Sequence, residues 1–160
     1  MYHVTIGFSK SKKFFPVGSW VIRLYQRTPY SHVYIKFYSE SLERSIIYEA
    51  VGQGVRFIGN KAWGKFAEPV SEFKISVSKD QYVELMRFCV DTSGLPYSYT
   101  QNLGIFLANL FKLKTNPLNS KGYNCSEVIA NILSKQGYEF KKDLNLITPK
   151  EIYEALNGKS

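Results

Sequence analysis

Three residues, Cys125, His32 and Glu49, are of the types that acyl transfer through a thiolate requires. They are a nucleophile, a base to take its proton and a carboxylate to orient the base. Cys125 stands in Gly122-Tyr123-Asn124-Cys125-Ser126-Glu127-Val128, after the turn-forming run Leu118-Asn119-Ser120-Lys121-Gly122. Val128, Ile129, Ile132 and Leu133 then recur at helical spacing, and Gly137 closes the run as a C-terminal cap. Cys125 therefore belongs in the first turn of a helix, on its apolar face. Free N–H groups and the helix dipole at that end favour a thiolate. A cysteine used only for packing fits the same pattern, so the assignment turns on the base and its partner.

The chain has two histidines. His3 lies in a first strand near the terminus, in a structural or surface role. His32 opens Ser31–Tyr38, a β-branched and aromatic run that predicts a strand. Alternation puts Ser31, Val33, Ile35 and Phe37 on one face and His32, Tyr34, Lys36 and Tyr38 on the other. Glu49 alternates with Ile47 and Val51 in a further strand, Ile46–Val51. If that face is packed, the carboxylate needs a partner, and an imidazole beside it would be held in a useful tautomer. If the strand is an edge, Glu49 is simply solvated. Tyr34, on the face of His32, and Asn124 and Ser126, which flank the cysteine, are candidate substrate-binding residues. Tyr30, Tyr97 and Tyr99 are looser candidates for the cleft.

The elements that must position these residues follow from pattern and punctuation. Tyr2–Phe8 predicts a first strand, Ser9–Lys13 a polar loop and Pro16-Val17-Gly18 a turn. Ser19 predicts the cap of a short helix through Gln26, with Trp20 and Leu24 against the fold. Gly52-Gln53-Gly54 turns Ile46–Val51 into a strand at Val55–Ile58, and Val70–Val77 is one more. These short turns suggest an antiparallel meander. The remainder is mostly helical. Ser78 caps a helix through Val90 with Tyr82, Leu85, Met86 and Cys89 on one face, so Cys89 reads as core. Gln101–Phe111, apolar on most sides, predicts a buried helix, and Lys112–Gly122 the longest loop. Thr148-Pro149 starts a last helix that runs to about Leu156.

Length and composition set the outer bounds. The 160 residues, 44% apolar, suit one α+β domain over 1–160 and exclude a disordered chain. No apolar run reaches the roughly 18 residues of a membrane span. The N-terminus lacks a signal-peptide layout, so the expected location is cytoplasmic. Two cysteines give neither a disulfide framework nor a zinc motif, and the sequence implies no metal and no cofactor. The net charge of +8 is scattered, without a basic stripe or a nucleic-acid motif, and reads as a solvated surface.

The order of parts resembles a known group. A strand opening Tyr30-Ser31-His32-Val33, a second carrying Ile47-Tyr48-Glu49-Ala50-Val51 and a later helix opening Asn124-Cys125-Ser126-Glu127 resemble the circularly permuted NlpC-type papain-like proteins. YiiX-like hydrolases and the relatives of lecithin:retinol acyltransferase belong to that group. Its histidine strand precedes the cysteine helix, as here. The lead-in Val21–His32 and the segment Leu95-Pro96-Tyr97-Ser98 are similar as well. The resemblance, over about Tyr2–Leu156, implies a permuted papain-like fold with an antiparallel sheet packed against the cysteine helix. It implies Cys125 as nucleophile, His32 as base and Glu49 as orienting residue. The third position varies within the group, so Glu49 is the weakest match. The reaction expected is cleavage of an amide, peptide, isopeptide or (thio)ester through a thioester acyl-enzyme, with a peptide, protein or acyl substrate. A non-catalytic module that binds a ligand or partner in the same cleft is the alternative, and an acyltransferase the third reading.

Overall fold

The computed structural model describes residues 2–12, 23–118 and 122–158. The fold is α+β: one five-stranded antiparallel sheet with helices against it. The strands are β1 (Tyr2–Ser11), β2 (His32–Ser39), β3 (Arg44–Val51), β4 (Gly54–Gly59) and β5 (Ala67–Val77), in the order β4-β3-β2-β1-β5. The first four form the expected meander. β5 then crosses to the far edge and pairs with β1.

The helices lying wholly within the described residues are α1 (Asn60–Trp63), α2 (Lys79–Thr92), α3 (Tyr99–Phe111), α4 (Cys125–Lys135) and α5 (Pro149–Asn157), and a 3-10 turn at Leu144–Leu146 precedes α5. Their starts follow the sequence closely. Ser78 and Thr148 each form a reciprocal capping box, with Gln81 and Glu151 respectively. Asn124 caps α4 by accepting from the Glu127 N–H. The main core lies between one face of the sheet and α2, α4 and α5, with Val4, Ile6, Phe8, Val33 and Ile35 meeting Leu85, Val128, Ile129 and Ile152. A smaller cluster, Tyr34, Ile47, Trp63 and Ala67, covers part of the opposite face.

Four local expectations need correction. Ser9, Lys10 and Ser11 are not loop: β1 continues through them because β5 supplies pairing partners as far as Ala67. β5 likewise starts at Ala67 and not at Val70. α3 is not buried all round, since Leu103, Leu110 and Phe111 are exposed. Residues 23–26 are helical, but Leu24 is exposed and does not pack against the fold. The expected turn at 16–18 and the capping Ser19 and Trp20 lie outside the described residues, as does part of the 112–122 loop.

Gly7 pairs with Tyr34 across β1 and β2, and the Tyr34 ring occupies the space a Cβ at Gly7 would take. That ring also packs tilted against Trp63, centroids 4.6 Å apart, and donates its hydroxyl to Glu72 at 2.7 Å. Gly7→Ala is therefore expected to displace a fully buried tyrosine and cost about 1–3 kcal/mol. The urea midpoint of the variant against the native chain measures it.

Candidate active site

The β2–β3 ladder runs from Ser39–Arg44 to Ile35–Tyr48 and ends there. Beyond that point β2 stays paired to β1 as far as Ser9–His32, and β3 stays paired to β4 as far as Val51–Gly54. The sheet thus opens between the start of β2 and the end of β3. His32 and Glu49 stand on the two sides of this opening. The N-terminus of α4 brings Cys125 to it from the helix-packed side.

Glu49 is 1% exposed, on an internal strand of the sheet. It is the packed alternative of the sequence reading and not the solvated one. Its carboxylate accepts four hydrogen bonds. His32 Nε2 and Trp63 Nε1 donate to Oε2 at 3.0 and 2.9 Å, and Arg56 Nε and Nη2 donate to Oε1 at 3.1 and 2.8 Å. Burial raises the carboxyl pKa, but these donors outweigh it, His32 foremost, and hold it down to about 2.

With Nε2 committed to Glu49, Nδ1 is the ring nitrogen left for the thiol of Cys125. The two side chains are hydrogen-bonded. Burial works against a charged imidazole, yet the hydrogen bonds and charges of Cys125 and Glu49 push His32 up to about 10. Burial likewise opposes the thiolate. His32 together with backbone hydrogen bonds at Val33 and Ser126 brings the Cys125 pKa below its ordinary value. Cys89, buried in α2 without such partners, has its thiol pushed well up. Both shifts favour a Cys125 thiolate facing a His32 imidazolium.

The loop before α4 is held by the segment before α3. Tyr123 N–H donates to the Pro96 carbonyl at 3.1 Å, and Ser98 N–H donates to the Tyr123 carbonyl at 3.0 Å. Gly122, at φ +132°, allows the approach, since a Cβ there would sit 2.8 Å from the Pro96 oxygen. This clamp sets Tyr97 beside Cys125. Burial raises the Tyr97 pKa, and the charge of Cys125 adds to it. The neutral phenol accepts from Asn102 Nδ2 at 2.7 Å. Tyr97 and Cys125 line a common cleft of about 610 Å³ that also takes in His32, Glu49, Arg56 and Lys10.

The structure brings Cys125, His32 and Glu49 together. It separates two other candidates from the cleft. Tyr34 shares a face with His32 as alternation requires, but Trp63 covers that face and Tyr34 is fully buried. Asn124 is fully buried too, and its side chain is spent on the helix cap, accepting from Ser126 Oγ at 2.9 Å and Glu127 N–H at 2.8 Å. Ser126 is mostly buried but borders a second groove beside the cysteine.

Arg56 and Trp63 are site residues that the sequence reading missed. Arg56 was within reach: counting outward from the Gly52-Gln53 turn sets it opposite Glu49. Nothing in the sequence marks Trp63, which arrives on the single turn of α1. Among the described residues no cluster of side chains fits a metal ion, and no helix is long and apolar enough to cross a membrane. No protein-family model matches this chain, and no curated protein matches it either.

The depressed Glu49 pKa makes a contribution to stability that is present above the ordinary carboxyl pKa of 4.5 and lost as pH falls toward 2. It amounts to about 3 kcal/mol. Chemical denaturation of the native chain between pH 5 and 2 should show this loss. In Glu49→Gln the slope over that window should flatten.

Proposed function

We propose that this chain is a cysteine hydrolase of the permuted papain-like type, cleaving an amide or (thio)ester through Cys125, His32 and Glu49. One observation carries the reading. A buried carboxylate grips one nitrogen of an imidazole at 3.0 Å, while the ring's other side meets a thiol at a helix start, open to a cleft. A packing cysteine needs neither the oriented ring nor the opening. The chain order, histidine strand first and cysteine helix last, supports the permuted form, as does the antiparallel sheet against α4.

In this mechanism the Cys125 thiolate attacks the carbonyl carbon and forms an S–C bond. The oxyanion needs donors. At the start of α4 the N–H groups of Ser126, Glu127 and Val128 are taken, by the Cys125 sulfur, the Asn124 side chain and the Asn124 carbonyl. The Cys125 N–H is left to receive the developing charge. The Tyr97 hydroxyl, whose oxygen already accepts from Asn102, offers its proton as a second donor. His32 protonates the leaving atom as the carbonyl re-forms. It then takes a proton from water, which attacks the thioester and releases the acid. Glu49 keeps the ring aligned throughout and supports its charge.

The thiolate–imidazolium pair extends from the lowered Cys125 pKa up to about 10, where His32 loses its proton. Alkylation by iodoacetamide, followed by mass spectrometry across pH, reads the thiolate directly. At pH 6 to 7 Cys125 should react at least about tenfold faster than a thiol of ordinary pKa near 8.5. Cys89 should stay unmodified as an internal control. His32→Ala should abolish the advantage. A Cys125 that reacts no faster than Cys89 and ignores the His32 substitution would sink the enzyme reading and leave the cleft as a binding site.

Turnover makes a separate demand. Cys125→Ala should remove activity altogether, and Tyr97→Phe should lower kcat by about 10²-fold. Tyr97→Phe should leave iodoacetamide reactivity near native, because its hydroxyl acts on the oxyanion and not on the thiol. Steady-state kinetics beside alkylation rates separates the two effects.

A further inference from the structure

Cys125 lies where two grooves meet. The wider cleft carries His32, Glu49, Arg56 and Lys10. The second groove, of about 400 Å³, shares Cys125, Ser31, Tyr99 and Asn102 with it but not His32. It runs between α3, residues 25–26 and the start of α5, over Tyr25, Leu103, Ile105, Phe106 and Pro149. Tyr25 and Phe106 pack edge to face at 5.2 Å.

No charged side chain is among the described residues that line this second groove. Three of its polar groups are already engaged. Gln26 Oε1 accepts from the Lys150 N–H at 3.3 Å, Thr148 Oγ1 is occupied by Glu151 in the capping box, and Ser126 Oγ donates to Asn124. A charged group entering it would lose its hydration and find no counter-charge.

The position of the acid fixes which half of a substrate enters which groove. His32 must reach the leaving atom to protonate it, and His32 borders the wider cleft alone. The leaving half therefore lies in the wider, polar cleft. The acyl half, held on Cys125 after the bond breaks, extends the other way.

Resting on the hydrolase reading above, we infer that the groove between α3 and the start of α5 is the acyl subsite, and that the substrate's acyl group is an uncharged apolar chain. In the first step the S–C bond to Cys125 forms, the bond from carbonyl carbon to leaving atom breaks, and that atom takes the His32 proton. In the second, water adds to the carbonyl carbon, the S–C bond breaks, and the apolar carboxylic acid departs from the groove.

The test uses p-nitrophenyl acetate, octanoate and hemisuccinate, with Cys125→Ala subtracting background hydrolysis and intact mass reporting the acyl group on Cys125. The native chain should favour octanoate over acetate by at least about tenfold in kcat/KM and disfavour the charged hemisuccinate. Leu103 is 53% exposed, so Leu103→Lys can place a charge at the groove without burying it in the core. That variant should lower the octanoate-to-acetate ratio by about tenfold. Equal rates for the three esters, or a ratio that Leu103→Lys leaves unchanged, overturns the subsite. If Cys125 still alkylates as fast as the dyad requires, the hydrolase reading survives that result. If Cys125 behaves like Cys89, both fall together.

Discussion

The burial of one carboxylate constrains this site more than any other interaction. An ionised Glu49 without partners inside the protein would cost many kcal/mol, and the carboxyl would take up a proton instead. Four hydrogen bonds from three side chains keep it charged. Each donor comes from a different element. The β3–β4 hairpin sets Arg56 opposite, α1 delivers Trp63, and the end of the β2–β3 ladder lets His32 reach across. The orientation of the imidazole follows from satisfying Glu49. Only then does the ring present its other nitrogen to Cys125.

That arrangement spans both faces of the sheet. His32 and Glu49 alternate with Tyr34 and Ile47, which pack with Trp63 on one face. Cys125 belongs to the cluster on the other, among Val128, Ile129 and the inward residues of β2. A continuous ladder would keep the two sides apart. Because pairing stops at Ile35–Tyr48, a thiol from the helix layer can meet a ring from the opposite side. The break in hydrogen bonding and the contact between Cys125 and His32 are thus one structural feature. The backbone released there is put to use as well, since Val33 hydrogen-bonds to the sulfur.

The parts of the site with local signatures were legible in the sequence. Turn formers and apolar spacing located α4 and Cys125, and strand chemistry located His32 and Glu49. Helix starts at Ser78 and Thr148 are set by neighbours three residues away, so they could be read directly. What failed depends on pairing or coverage at long range. Ser9–Ser11 looks like loop because its polarity is local, whereas its strand character comes from β5, nearly sixty residues on. Alternation places Tyr34 on the correct face but does not say whether that face is open, and Trp63 closes it. Asn124 reads as a substrate contact because it adjoins Cys125. Its own cap geometry takes the side chain instead. α3 is apolar enough for a core helix, yet its outer side stays exposed and part of its surface borders the second groove.

Cys89 and Cys125 show how little the residue type decides. Both are buried, and burial alone raises a thiol pKa. In the middle of α2, Cys89 meets apolar packing and stays protonated. Cys125 meets an imidazole, two backbone hydrogen bonds and a helix start, and the balance reverses. The reversal is mutual, for the thiolate and Glu49 also raise His32 to about 10. A raised imidazole pKa stabilises the fold below the ordinary value of 6.5, and that contribution disappears as pH rises through 10. The lowered thiol acts in the opposite sense: its contribution grows from the lowered pKa of Cys125 toward the ordinary thiol value. The two shifts are coupled through one contact, and removing either side chain takes away the partner that shifts the other. The pair therefore belongs to the architecture of the opened sheet, and the same contacts that bury the two groups favour their charged forms.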